Sequence, residues 1–200
     1  MKTRAFFQFY AAVAALAIPV FLWTGNMEFL FYAACIALFI GGLWYTDRFF
    51  HYRATSLSLF TVWLVLHILG GVVPIGNGEV LYNWMVLPLV PEPYLVLKFD
   101  QAMHAFCYVA IGLLTDDAVA PLLKPGNRAA RFTVVALVAC GIGALNEVME
   151  FAAVCMIPNT NVGDYTNNAL DLVCNTLGAL TAATLRLRAP RGPIPLPPAA

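Results

Sequence analysis

FTVVALVACGIGALNEVMEFAAVCMI, residues 132–157, is apolar over the length of a membrane crossing, yet it carries two glutamates three residues apart. A hydrocarbon core of about 30 Å takes about 20 helical residues, so this stretch can span it. Glu147 and Glu150 then share one helix face. Ionisable groups in the bilayer are costly, and by default they mark a pathway, a proton relay or a ligand site. The rest of the chain has the same character. Of its 200 residues, 61% are hydrophobic and 11% charged. A soluble domain carries about 25% charged residues, so this chain lacks the polar surface that water requires.

Further apolar runs near 5–23, 28–45, 55–75, 100–120 and 168–186 complete a prediction of six transmembrane helices. The expected fold is all-α, a polytopic membrane helix bundle formed by one domain over residues 1–188. The stretch 79–98 is apolar but broken by Pro88, Pro91 and Pro93. Tyr82, Trp84 and Tyr94 suit a membrane–water boundary, so an interfacial or re-entrant segment is expected between helices 3 and 4. Residues 189–200 are Pro-rich and read as a disordered cytoplasmic tail. Of the eleven Lys and Arg, Lys98 alone falls on the other side from the rest. The positive-inside rule then puts both termini in the cytoplasm, with helix 1 retained as a signal anchor in the inner membrane. Net charge is zero, and without a basic face nucleic acid is not an expected partner. The five cysteines lie in or beside apolar runs in no metal-finger spacing and read as small core residues, with Cys107 set apart by its position three residues after His104.

Six ionisable side chains lie inside the apolar runs: His67, Asp100, His104, Glu147, Glu150 and Asp171. At 1.5 Å per residue, His67 lies about 21 Å from Arg53 and Glu147 about 24 Å from Arg131. His104 lies about 18 Å from Asp116, and Asp171 about 22 Å from Arg186. All six arrive in the outer half of the membrane. Asp100 and His104 are spaced i, i+4, and Asn168, Asp171, Asn175 and Gly178 form another stripe. Gly178 permits close helix approach, and Gly70-Gly71 after His67 suggests a backbone near the imidazole. Alone, Asp100 reads as an N-cap and His67 as a satisfied interior histidine. Asn168 and Asn175 alone read as interhelical hydrogen-bonding groups. Asp116 and Asp117 read as the wet inner end of helix 4, and Asp47, Arg48, His51 and Arg53 as a solvated cytoplasmic run.

Four carboxylates in one low-dielectric pocket cannot all ionise unpaired; protons stay on some of them, or a cation joins them. Two histidines beside them make a ligand set suited to zinc, manganese or iron. The expected roles are metal ligation by His67, Asp100, His104 and Asp171, acid–base work by Glu147 and Glu150, and substrate orientation by Asn168 and Asn175.

The segments Phe99-Asp100-Gln-Ala-Met-His104, Asn146-Glu147-Val-Met-Glu150 and Asn168-Ala-Leu-Asp171-Leu-Val-Cys-Asn175-Thr-Leu-Gly178 together resemble the VanZ-like membrane proteins. With His67-Ile-Leu-Gly70-Gly71 they more closely resemble the YjdF-like inner-membrane proteins. The similarity spans about residues 64–184, in matching order. It implies the architecture more than an activity. Three functions fit the residues: a metal-dependent hydrolase or transferase acting on an envelope lipid, lipid-linked or small substrate at the outer leaflet; a proton-coupled transporter; or a non-catalytic module whose polar cluster packs helices. The first is favoured because the cluster sits outside the midplane, where transporters place their sites, and no internal repeat is evident.

Overall fold

Six helices account for the apolar runs in the computed structural model, which describes residues 3–90, 94, 96–124 and 126–188. They are α1 (Arg4–Thr24), α2 (Met27–Phe50), α3 (Ala54–Val72), α4 (Phe99–Val119), α5 (Arg128–Met156) and α6 (Tyr165–Arg188). Lys2, Pro91, Pro93, Arg191 and the Pro-rich stretch 189–200 lie outside the described residues. Local chemistry sets the helix ends. Gly25, at φ 67°, takes the left-handed turn that ends α1. The Oδ1 atoms of Asn26 and Asn127 accept from the Phe29 and Ala130 amides at 3.0 Å, capping α2 and α5. Asp164 does the same for α6, accepting from Asn167 N at 3.1 Å.

Helices α1 to α5 are long and apolar enough to cross a membrane. The sixth is as long as α2, at 24 residues, but falls short in apolarity. Its asparagines and Asp171 lower its hydropathy, and their hydrogen bonds run to α4 and α5 or within α6. Expected as a sixth span, α6 turns its polar stripe inward.

The stretch between α3 and α4 breaks the run of α-helices. It forms two short antiparallel pairs, β1 (Pro74–Gly76) with β2 (Glu79–Val80) and β3 (Met85–Val90) with β4 (Val96–Lys98), around a 3₁₀ turn at Leu81–Asn83. Trp84, Leu87, Leu89 and Tyr94 are exposed, as befits an interfacial hairpin.

Helix α4 is the most buried element and packs against α3, α5 and α6. Small residues allow it: Gly178 lies against the Ala105 carbonyl, and a Cβ on Gly112 would come 2.5 Å from that of Ala182. Helices α1 and α2 pair with each other, and Tyr10 Oη on α1 donates to the Leu57 carbonyl of α3 at 2.9 Å. Leu16, Trp23, Leu38, Trp44, Leu137, Leu145 and Phe151 face outward, as lipid-facing side chains do.

At the basic end of the bundle, Asp116 and Asp117 are not the wet helix end that the sequence suggested. Both are buried, as are Arg131 and Arg186. Neighbouring residues on a helix diverge by about 100°, so the two acids face different partners. Asp116 accepts from Arg131 Nε at 2.5 Å and Nη2 at 2.7 Å. Asp117 accepts from Ser56 Oγ at 2.6 Å, the Arg53 amide at 3.0 Å and Arg186 Nη2 at 2.8 Å. The run around Asp47 is also tied down: its carboxylate accepts from Thr3 Oγ1 at 2.7 Å and Tyr52 N at 3.0 Å. These contacts bring the ends of α1, α2, α3, α4, α5 and α6 together at one face.

Candidate functional site

Opposite that layer, α4 begins, α5 ends and α6 begins, and their ionisable residues meet. His104 on α4 is the centre. Its Nδ1 lies 3.4 Å from Glu147 Oε1, and its Nε2 lies 3.6 Å from Asp100 Oδ1 and 3.5 Å from Glu150 Oε1. The i, i+4 and i, i+3 spacings on α4 and α5 therefore do converge on one imidazole. Asp171 joins from α6: one oxygen each of Asp100 and Asp171 and one nitrogen of His104 lie mutually within 4.8 Å, and His104, Glu147 and Glu150 form a second such group.

Asparagines hold the carboxylates. Glu147 accepts from Asn168 Nδ2 at 2.8 Å and Asn175 Nδ2 at 2.7 Å, one to each oxygen. Asp171 Oδ2 accepts from Asn167 Nδ2 at 2.7 Å, and Glu150 Oε1 accepts from Asn146 Nδ2 at 2.7 Å. Asn167 Nδ2 also approaches Asp100 Oδ2 at 3.3 Å. Because the Asn175 amide nitrogen serves Glu147, its oxygen is left facing His104 Nδ1, at 3.0 Å. A neutral imidazole then carries its proton on Nδ1 and presents a free electron pair at Nε2, towards Asp100 and Glu150.

Two features stand out in this packing. Asp171 is wholly buried, yet its Oδ1 has no hydrogen-bond partner among the described residues. Among those residues, no lysine or arginine pairs with Asp100, Glu147, Glu150 or Asp171, and every salt bridge that these acids make is to His104.

His67 stands apart from both groups. Its Nδ1 lies 2.5 Å from Tyr82 Oη, and its ring packs on Trp63 and Phe29. Burial, then the charge of Asp100, pushes the Tyr82 phenol well above its ordinary range, so Tyr82 stays protonated and donates to Nδ1. The His67 proton is then on Nε2, which is buried and has no partner among the described residues. Gly70 and Gly71, expected to admit a backbone, instead admit two rings: Tyr82 against Gly70 and Phe29 against Gly71. Asp100 is no N-cap; it is the second residue of α4, and Gln101 Oε1 closes the turn by accepting from the Leu97 and Lys98 amides at 2.8 and 3.1 Å.

A cavity of about 170 Å³ adjoins the cluster, with His67, Asp100, His104 and Glu150 in its walls. The connection between α5 and α6 roofs it. There Asn161 donates from its amide at 2.7 Å and from Nδ2 at 3.3 Å to Glu28 Oε2 on α2. Glu28, Tyr82, Asn146, Asn161 and Asn167 thus belong to the site, though the sequence reading gave them no role in it. Asn167 had a detectable signal, four residues before Asp171; Glu28 and Asn161 had none, since their contact joins distant segments.

The profile of a family described as a predicted membrane protein, DUF2238, matches residues 4–191. No curated protein and no solved structure matches the chain. The match runs over the whole bundle, and the chain belongs to this family of predicted membrane proteins.

Proposed function

We propose that the cluster is a divalent-metal site, of zinc, manganese or iron, at which an outer-leaflet lipid or lipid-linked substrate is hydrolysed or transferred. The observation that carries the reading is Asp171 Oδ1, a buried carboxylate oxygen without a donor, in a pocket of four acids around one imidazole. Burying such an oxygen is costly unless something satisfies it. A dication would, and it would balance acids that have no other basic partner. Asp100, His104 and Asp171 are the ligands best disposed for it. Ligand atoms on a tetrahedral ion at about 2.1 Å lie about 3.4 Å apart, close to the 3.6 Å between His104 Nε2 and Asp100 Oδ1.

The chemistry follows from the remaining acids. The ion would polarise a phosphoryl or carbonyl oxygen or activate water. Glu150, with one oxygen held by Asn146 and the cavity before it, takes the role of general base or acid. Glu147 accepts two amide bonds and serves to fix Asn168, Asn175 and His104. His67, expected as a ligand, is better suited to donate from Nε2 to substrate.

Orientation completes the reading. Arg4, Arg48, Arg53, Lys124, Arg128, Arg131, Arg186 and Arg188 belong to one end of the bundle and Lys98 to the other. The positive-inside rule then puts both termini in the cytoplasm and the cluster near the outer face of an inner membrane. The His67–Gly71 element supports reading the chain as YjdF-like within its family.

Metal content of the purified protein, read by elemental mass spectrometry, tests the proposal. The expected result is near one ion per chain, lost in Asp171→Asn and His104→Ala but kept in His67→Ala. Absence of metal after soaking with zinc and manganese would contradict it. Protons on the carboxylates would then balance the site, and a proton-coupled carrier would become the better reading.

A further inference from the structure

The cavity beside the cluster has two chemically different ends. Its outer end carries Asp100, His104 and Glu150. From there it continues towards the middle of the bundle between Ile36 and Phe39 of α2, Phe60 and Trp63 of α3, Ile111 of α4 and Ile142 of α5. Along α4, Asp100 and Ile111 are about 16 Å apart, roughly half the hydrocarbon thickness. Residues of both α2 and α5 line this space. His67 also lines it, and its Nε2 is buried without a partner among the described residues.

We infer that this trough holds the single apolar chain of an amphiphile whose head lies at the His104 cluster. The inference rests on the proposed function, whose substrate class it narrows from any lipid to one that presents one chain. The polar and apolar ends are continuous, as a head and its tail require. Small-molecule sites are largely apolar with a few placed polar groups, and this one has both. The aromatic rings of Phe39, Phe60 and Trp63 line its apolar end. The unpartnered His67 Nε2 supplies a donor for an oxygen at the junction of head and chain, such as an ester carbonyl.

Trp63 lets the trough be read directly. The other three tryptophans, Trp23, Trp44 and Trp84, are exposed, and replacing them by Phe leaves Trp63 as the single reporter. The protein, in nanodiscs of unbrominated phosphatidylcholine, is titrated with a lysophosphatidylcholine dibrominated in mid-chain, while Trp63 fluorescence and metal content are followed. The expected result is saturable quenching at one chain per protein. Ile36→Phe and Cys107→Phe, which add bulk at two lining positions on different helices, should each weaken it about tenfold with metal content unchanged. Quenching linear in lipid content and equal in all variants would overturn the inference. If a filled variant loses its thermal transition, the other is decisive, since Ile36 lies on the loosely packed α2 and Cys107 on the central α4. Saturable quenching in a protein without metal would sustain the trough and remove the metal reading; metal without saturable quenching would do the reverse.

Discussion

Asn175 sets the geometry of the cluster at the scale of single residues. Its one amide faces both the acid and the base of the site, donating to Glu147 and accepting from His104. A partner that holds one ring nitrogen fixes the histidine tautomer and aims the other nitrogen. Asn175→Ala should cost about 1–3 kcal/mol, because it leaves Glu147 and His104 each short of a buried partner. It should also weaken metal affinity about 10–100-fold, the usual effect of losing such a partner. Thermal unfolding in detergent and a metal titration measure the two separately. The same scale shows what a sequence conceals. Glu147 and Glu150 declared themselves, since two acids three residues apart in an apolar run stabilise nothing alone. Asn146 did not, because one asparagine in a helix reads equally well as a packing group or a clamp on a carboxylate, and the i, i+4 spacing of Asn167 and Asp171 was the one signal for a clamp.

Among the elements, α4 and α6 form the tightest pair, and small residues make it so. A side chain on Gly178 would meet the Ala105 carbonyl, whereas nothing lies within 4 Å of a Cβ on Gly42 in α2. Gly178→Leu should therefore destabilise the bundle by about 1–3 kcal/mol or more, and Gly42→Leu by much less. A denaturant series on the two variants checks the contrast. Helix number and boundaries were legible from apolar run length, and the depth of each ionisable residue from counting along the axis. Such counting gives no direction around the axis. His67, at the same depth as His104, thus turned out to face Tyr82 and Trp63, and Asp116 and Asp117 proved buried rather than wet. The stretch 79–98 was legible from its prolines as a break between helices, but its strand pairing, and the end of α3 at Val72 rather than residue 75, depend on contacts that no local pattern specifies.

Across the whole molecule, two polar layers bracket an apolar middle. The layer built on Asp116, Asp117, Arg131 and Arg186 pairs its charges directly and closes one face. Around His104 no lysine or arginine among the described residues pairs with the acids, and a cavity adjoins the cluster at the other face. The proposed orientation predicts that, in a cysteine-free background, Val162→Cys labels with an impermeant maleimide from outside the cell and Lys124→Cys only after the membrane is opened. The reverse pattern would turn the site to the cytoplasm.

The central claim is that a metal sits on His104 and not on His67. Electron spin-echo spectroscopy of the manganese-loaded protein reads this directly, since a bound imidazole nitrogen modulates the echo. Modulation from one imidazole is expected, lost in His104→Ala and kept in His67→Ala. Modulation that persists without His104, or that vanishes without His67, would contradict it.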